Sequence, residues 1–207
     1  IKSKRQSEYR TLSGEYVEKI NPGTVRDCRE FYKKYDEVEG FDIYGNDRYI
    51  YQYISDKYPQ DEIKFDISQI KLVTLDIEVS SEHGFPDVES CIEEILAITI
   101  QDYNTKEIIT WGVKPYTVKQ DNVTYHLCRD EAHLLDSFIH YWSQDVPDVI
   151  TGWNIQLYDI PYICNRIRNV FGVNTMRDLS PWRMVSEKMV KGLHGRENLT
   201  FDIAGVS

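Results

Sequence analysis

Apolar and polar positions alternate most sharply between residues 71 and 80. Val73, Leu75, Ile77 and Val79 interleave with Leu72, Thr74, Asp76 and Glu78. Side chains switch face at every residue of a strand, so this stretch predicts a β-strand with one wholly apolar face. Its other face carries Asp76 and Glu78, two residues apart and pointing the same way.

Upstream, residues 24–39 repeat apolar positions at three and four: Val25, Cys28, Phe31, Tyr32, Tyr35 and Val38. That spacing predicts an amphipathic helix, with Thr24 or Asp27 as its N-cap and Gly40 at its end. After a turn at Gly45-Asn46-Asp47, Tyr49, Tyr51 and Tyr53 alternate with Ile50, Gln52 and Ile54, which predicts a strand with an aromatic ladder. Such a ladder serves cross-strand packing or base stacking. Residues 1–24 are polar, with a turn at Asn21-Pro22-Gly23, and read as a frayed or partly ordered end.

Downstream, residues 92–101 and 108–112 predict two strands joined as a hairpin through Asn104-Thr105, and residues 123–127 a further strand. Leu134, Leu135, Phe138, Ile139 and Trp142 mark the buried stripe of a helix over 130–142, with His133 and His140 outside it and facing solvent. A short apolar strand follows Pro147, over 148–154, and the strand–helix–strand order implies a crossover to parallel pairing. A second helix spans 158–171, with Pro161 in the permitted first turn. Residues 177–196 are locally basic, with Arg177, Arg183, Lys188, Lys191, His194 and Arg196, and Gly192 and Gly195 suggest a turn between short strands.

Composition narrows the class. A length of 207 residues suits one good-sized domain, or one with part of another. The chain begins at Ile1 and stops at Ser207 in mid-pattern, so we expect a piece of a longer protein. The formal charge of −10 excludes a simple cationic nucleic-acid binder. It is compatible with a nuclease whose acids are neutralised by bound cations. Four widely spaced cysteines indicate neither a zinc site nor a disulfide framework, and a reducing cytoplasm is the default. No signal peptide and no membrane-spanning run are expected.

The candidate chemistry starts with Asp76 and Glu78. Like charges held close raise one another's pKa unless a cation sits between them. Mg²⁺ or Mn²⁺ would suit such oxygen donors. The plainer reading is an edge strand with both acids in water. Asp159 opens the helix over 158–171. It is either a first-turn acid favoured by the helix dipole or a third acid brought to the first two. Asn154 could place its amide in the same crevice, beyond the carboxyl ends of the strands. Phe85, between Gly84 and Pro86, is either a stacking platform beside the acids or a loop anchor in the core. The basic segment suits a polyanion, or is a solvated loop.

Taken in order, these motifs resemble the family B replicative DNA polymerases of T-even-type bacteriophages. Asp76-Ile77-Glu78 is similar to the first motif of their proofreading exonucleases, and Asn154 with Tyr158-Asp159 to the second, Tyr158 standing where a Phe is usual. The likeness extends over residues 24–207 and includes Gly84-Phe85-Pro86. It implies an α/β, ribonuclease H-like exonuclease domain, a mixed sheet flanked by helices, over 69–207. A partial α+β polymerase N-terminal domain would occupy 1–68.

The implied activity is 3′-5′ removal of mispaired nucleotides by hydrolysis with two Mg²⁺ or Mn²⁺ ions. Asp76 would bridge the ions, Glu78 bind the water-activating one, and Asp159 act at the second. Phe85 would stack on the terminal bases, Asn154 would contact the substrate near the scissile end, and Tyr158 would be a further substrate-binding residue. Lys188, Lys191 and Arg196 would belong to a strand-separating hairpin. The implied partners are DNA, the rest of the polymerase chain and replisome proteins such as a sliding clamp, in the cytoplasm of a host bacterium. The family's fourth acid, from a later Tyr-x-x-x-Asp motif, is absent from these residues, so the piece is expected to be weak or inactive. A free-standing exonuclease and a non-catalytic interaction module are the alternatives.

Overall fold

In a computed structural model, residues 1–44, 49–59, 64–192, 195 and 197–207 are described. The turn predicted at Gly45-Asn46-Asp47, with His194 and Arg196, lies outside them. The chain forms two compact units, Ile1–Lys64 and Phe65–Ser207.

In the first unit, β1 (Tyr9–Arg10) and β2 (Tyr16–Val17) pair antiparallel, where the sequence reads as a frayed end. Their turn is closed by Gly14 N–H donating to Thr11 O at 3.0 Å, and Lys2 and Glu15 form an ion pair at 2.9 Å. Helix α1 (Val25–Tyr35) starts where the sequence places it, at Thr24. Thr24 Oγ1 accepts from Asp27 N–H, while Thr24 N–H donates to Asp27, a reciprocal cap. The stretch read as an aromatic strand is instead helix α2 (Tyr49–Lys57). A strand must find a partner for its backbone, whereas a helix satisfies its own N–H groups four residues back. Among the described residues of this unit the only pairing strands are β1 and β2, which bond to each other.

The second unit is built on a mixed sheet. Its strands are β3 (Leu72–Val79), β4 (Ile95–Asp102), β5 (Ile108–Gly112), β6 (Val123–Leu127) and β7 (Val149–Thr151), in the order β6-β5-β4-β3-β7. The β3–β4 and β4–β5 pairs are antiparallel, and β5–β6 and β3–β7 are parallel. The predicted hairpin and parallel crossover are both present. Helix α3 (Glu131–Gln144) supplies the crossover between β6 and β7. It is followed by α4 (Asp159–Phe171), the short α5 (Val173–Met176) and an antiparallel hairpin of β8 (Val185–Lys191) and β9 (Glu197–Ile203). Ser207 then donates to Asp148 O at 2.9 Å and accepts from Ile150 N–H at 2.8 Å, a parallel bonding pattern on the outer edge of β7.

One face of the sheet makes the core. Val73, Leu75 and Ile77 are buried with Ile98, Ile100 and Trp111 and with the stripe of α3, all five of whose predicted residues are buried. Tyr162, Ile163 and Ile167 of α4 join the same core. Trp142 satisfies its indole N–H on Leu179 O at 2.8 Å. His140 is exposed, as read, but His133 is half-buried, because its Nδ1 accepts from Arg129 N–H at 3.2 Å. The opposite face leaves Thr74, Asp76 and Glu78 exposed. All four cysteines are free thiols, and burial pushes Cys91 up to about 12.

Candidate active site

The site forms where β7 leaves β3. Their parallel pairing ends at Thr74 and Thr151. The next residue is Gly152, and a Cβ there would lie 2.6 Å from Leu75 O, so only glycine lets the backbone pass this close. Asn154 then takes a left-handed conformation, with φ 56°. Its carbonyl accepts from Leu157 and Tyr158 N–H at 3.0 and 3.1 Å, which turns the chain into α4. Asn tolerates this region better than most side chains, and such outliers cluster at functional sites.

This departure leaves the N–H of Ile77 without a β7 carbonyl, and Asp159 fills the gap. Its Oδ1 accepts from Ile77 N–H at 3.2 Å, and the side chain is buried. The acid at the start of α4 is thus carried to the residue between Asp76 and Glu78. A β-bulge between Glu78 and Val79 follows directly, as bulges often do beside active sites. β3 pairs with β7 only over Leu72–Thr74, so Asp76 and Glu78 lie where its β7 side is open, and both acids face solvent. Two residues of strand separate them by about 7 Å.

The groups sense one another electrostatically. Burial raises the Asp159 carboxyl above its usual range, and the Asp76 charge adds to this, against hydrogen bonds from the Asp159 and Ile77 backbones. Tyr158 is raised by burial and then by the charges of Asp159, Cys91 and Glu78. Among the described residues no group of three or more His, Cys, Asp and Glu side chains is placed to hold a metal ion. Asp159 points one oxygen at the backbone, and Asp76 and Glu78 stand on the open face. The donor chemistry nonetheless fits a hard divalent ion, since all three side chains offer carboxylate oxygens.

Tyr158, next to Asp159 in sequence, lines a groove of about 370 Å³ with Phe85, Asn154, Leu157, Asn198 and Leu199; the acids Asp87, Glu89 and Glu197 also line it, whereas Asp76, Glu78 and Asp159 do not. Phe85 is 88% exposed, which rules out the core-anchor alternative, and its ring centre is 5.9 Å from that of Tyr158. Phe85 and the Asn154–Tyr158 motif, singled out in two separate stretches of sequence, therefore line the same groove. The groove-lining residues of β9 carry no motif and were not foreseen. Trp153, within the same motif as Asn154, is 93% exposed.

The basic segment does form a hairpin, but much of its charge is engaged within the unit. Lys188 Nζ donates to Asp202 at 2.6 Å, and Arg183 pairs with Asp178. Lys191, at the end of β8, is exposed, and Arg196 lies outside the described residues.

A mixed sheet whose acid-bearing strand receives a further acid from the start of α4 is consistent with a ribonuclease H-like exonuclease fold. The chain belongs to DNA polymerase family B, exonuclease domain, which it matches over residues 20–205. It is 31% identical to the DNA-directed DNA polymerase of Escherichia phage RB69, over 85% of this chain and 22% of that protein. It is 28% identical to the DNA-directed DNA polymerase of Enterobacteria phage T4, over 99% of this chain and 25% of that protein. With the DNA polymerase catalytic subunit of Human herpesvirus 7 (strain JI) it shares 30% identity, over 47% of this chain and 10% of that one. The chain thus spans about a quarter of the length of the phage polymerases it matches. Among the described residues no helix is long and apolar enough to cross a membrane.

Proposed function

We propose that this chain supplies the proofreading 3′-5′ exonuclease of a family B replicative DNA polymerase, hydrolysing mispaired 3′ nucleotides from DNA. The observation that carries the reading is the placement of Asp159 on Ile77 N–H, between Asp76 and Glu78. These three acids would hold divalent ions, Mg²⁺ or Mn²⁺. Bound there, two ions would supply an activated water and neutralise charge on the attacking and leaving oxygens.

The rest is the work of the chain's own residues. Phe85 and Tyr158 present ring faces to the terminal bases, a sequence-tolerant grip suited to any mispair. Asn154, fixed by its left-handed turn, offers its amide beside the scissile end. Lys191 and the β8–β9 hairpin stand beside the displaced strand. Residues 69–207 form the exonuclease domain and residues 1–68 part of the polymerase N-terminal domain. The partners are DNA, the remaining polymerase chain and a sliding clamp, in the host bacterial cytoplasm.

The test is digestion of a 5′-labelled single-stranded oligonucleotide with Mg²⁺ or Mn²⁺. In the full polymerase carrying this sequence, Asp76→Ala should abolish 3′-5′ digestion and spare DNA synthesis. Retained digestion would remove Asp76 from the chemistry. The 207-residue chain alone should digest weakly or not at all, because no Tyr-x-x-x-Asp motif follows Asp159 within these residues to add a fourth acid.

A further inference from the structure

The loop from β3 to β4, residues 80–94, behaves as two halves. The second half is fastened to α4. Asn165 Nδ2 donates to Val88 O at 2.8 Å, Arg166 Nη1 to Cys91 O at 2.9 Å, and the Tyr162 hydroxyl to Glu93 O at 2.9 Å. The first half carries Phe85 and bends at Gly84, with φ +112° and nothing within 4 Å of where a Cβ would stand. A ring on so open a bend stays aimed only if the residues on each side of it are held, and ordering it during binding would cost affinity.

Both sides are held. Pro86 is buried on one side. On the other, the backbone N–H and the Nδ1 of His83 both lie against Glu93 Oε1, at 2.8 and 2.7 Å. Glu93 is only 6% exposed. Burial by itself would raise its carboxyl, but hydrogen bonds from His83 and Ser80 outweigh that and hold it below the usual range. The His83 side chain is 73% exposed, so burying the imidazole is not what the pair achieves. What it does is tie the Phe85-bearing half to the half that α4 holds, through bonds to an ionised acceptor, the strong kind.

We propose that His83 and Glu93 are positioning residues that aim the Phe85 ring across the groove at an incoming single-stranded 3′ end. This rests on the groove being the 3′-end site. Neither residue touches the acids of β3, and the pair acts through Phe85.

The experiment uses the 207-residue chain and an oligonucleotide with 2-aminopurine at its 3′ end, in EDTA so that nothing is hydrolysed. Affinity and fluorescence quenching are read together, with the unfolding midpoint as a check on folding. Phe85→Ala should weaken binding about tenfold and remove most of the quenching, in line with loss of one base–aromatic stack. His83→Ala should reproduce both effects with the unfolding midpoint unchanged. His83→Gln, whose amide keeps a donor toward Glu93, should bind and quench like the unsubstituted chain. In the Phe85→Ala background, His83→Ala should add nothing, the non-additivity of residues acting as one unit. If Phe85→Ala matters but His83→Ala leaves quenching intact, or the two effects add, the positioning role is overturned and the groove reading stands. If Phe85→Ala itself changes nothing, the groove reading falls and this inference with it.

Discussion

The units Ile1–Lys64 and Phe65–Ser207 start from similar local signals and end differently. Helix α1 in the first and α3 in the second both follow a side-chain N-cap, Thr24 and Asp130, and both carry an apolar stripe. In α3 the stripe is buried, whereas α1 has no buried residue, and none of the first unit's residues whose burial is described is buried. The first unit instead gathers Phe31, Tyr35 and Phe41 in a partly exposed ring cluster, with neighbouring centres 4.6 Å apart. A cap and a stripe are enough to form a helix. They do not make a core, which needs a second surface of matching shape.

Substitutions can break or sharpen that contrast. The largest effect is expected at Arg166, whose guanidinium pairs with the buried Glu131 of α3, which also accepts from Ile95 N–H at 2.7 Å. Arg166→Ala would strand a buried carboxylate and should cost about 3–5 kcal/mol in urea unfolding. A loss under 1 kcal/mol would mean that the pair is not what joins α4 to α3.

Next is Leu135→Ala, in a fully buried position, which should cost about 3 kcal/mol. Its counterpart Val25→Ala, at a 46% exposed position of α1, should stay within about 0.5 kcal/mol. Equal losses would show that the first unit has a core of its own.

Thr24→Ala removes the α1 cap and should cost that helix about 1 kcal/mol. The change should appear as faster amide exchange confined to residues 25–35, since opening there need not disturb the second unit.

The last prediction concerns sign, at the one site acid that is buried. Burial raises the folded pKa of Asp159, so the stability it contributes is complete below its unfolded pKa and is lost as pH rises through the folded value. In EDTA, Asp159→Asn should therefore gain stability relative to the native chain as pH rises above the ordinary carboxylate range of about 4, while its Oδ1 still accepts from Ile77. A variant that loses ground as pH rises would show that the carboxylate is favoured in its ionised form.

The strand β3, the helices α1, α3 and α4 and the hairpins β4–β5 and β8–β9 could be read from the sequence because each is written in local periodicity, turn residues and capping, whereas β1–β2 was read as a frayed end. The two acids of β3 shared a face by the geometry of any strand. The reading failed where period-two spacing met no partner, and Tyr49, Tyr51 and Tyr53 became part of a helix instead. It left Phe85 and Asp159 open, since exposure and burial are properties of what surrounds a residue.

The sequence by itself determined that Asp76 and Glu78 stand together and that Asp159 begins a helix. Tertiary structure alone decided that β7 parts from β3 at Gly152 and that Asp159 caps the freed N–H of Ile77. It alone decided that Phe85, Asn154, Tyr158 and β9 close on one groove. The physical reason is distance along the chain. Asp159 and Ile77 are 82 residues apart, and no local rule spans that gap. Only packing of α4 against the sheet brings the helix start to a point where the strand's backbone has lost its β7 partner.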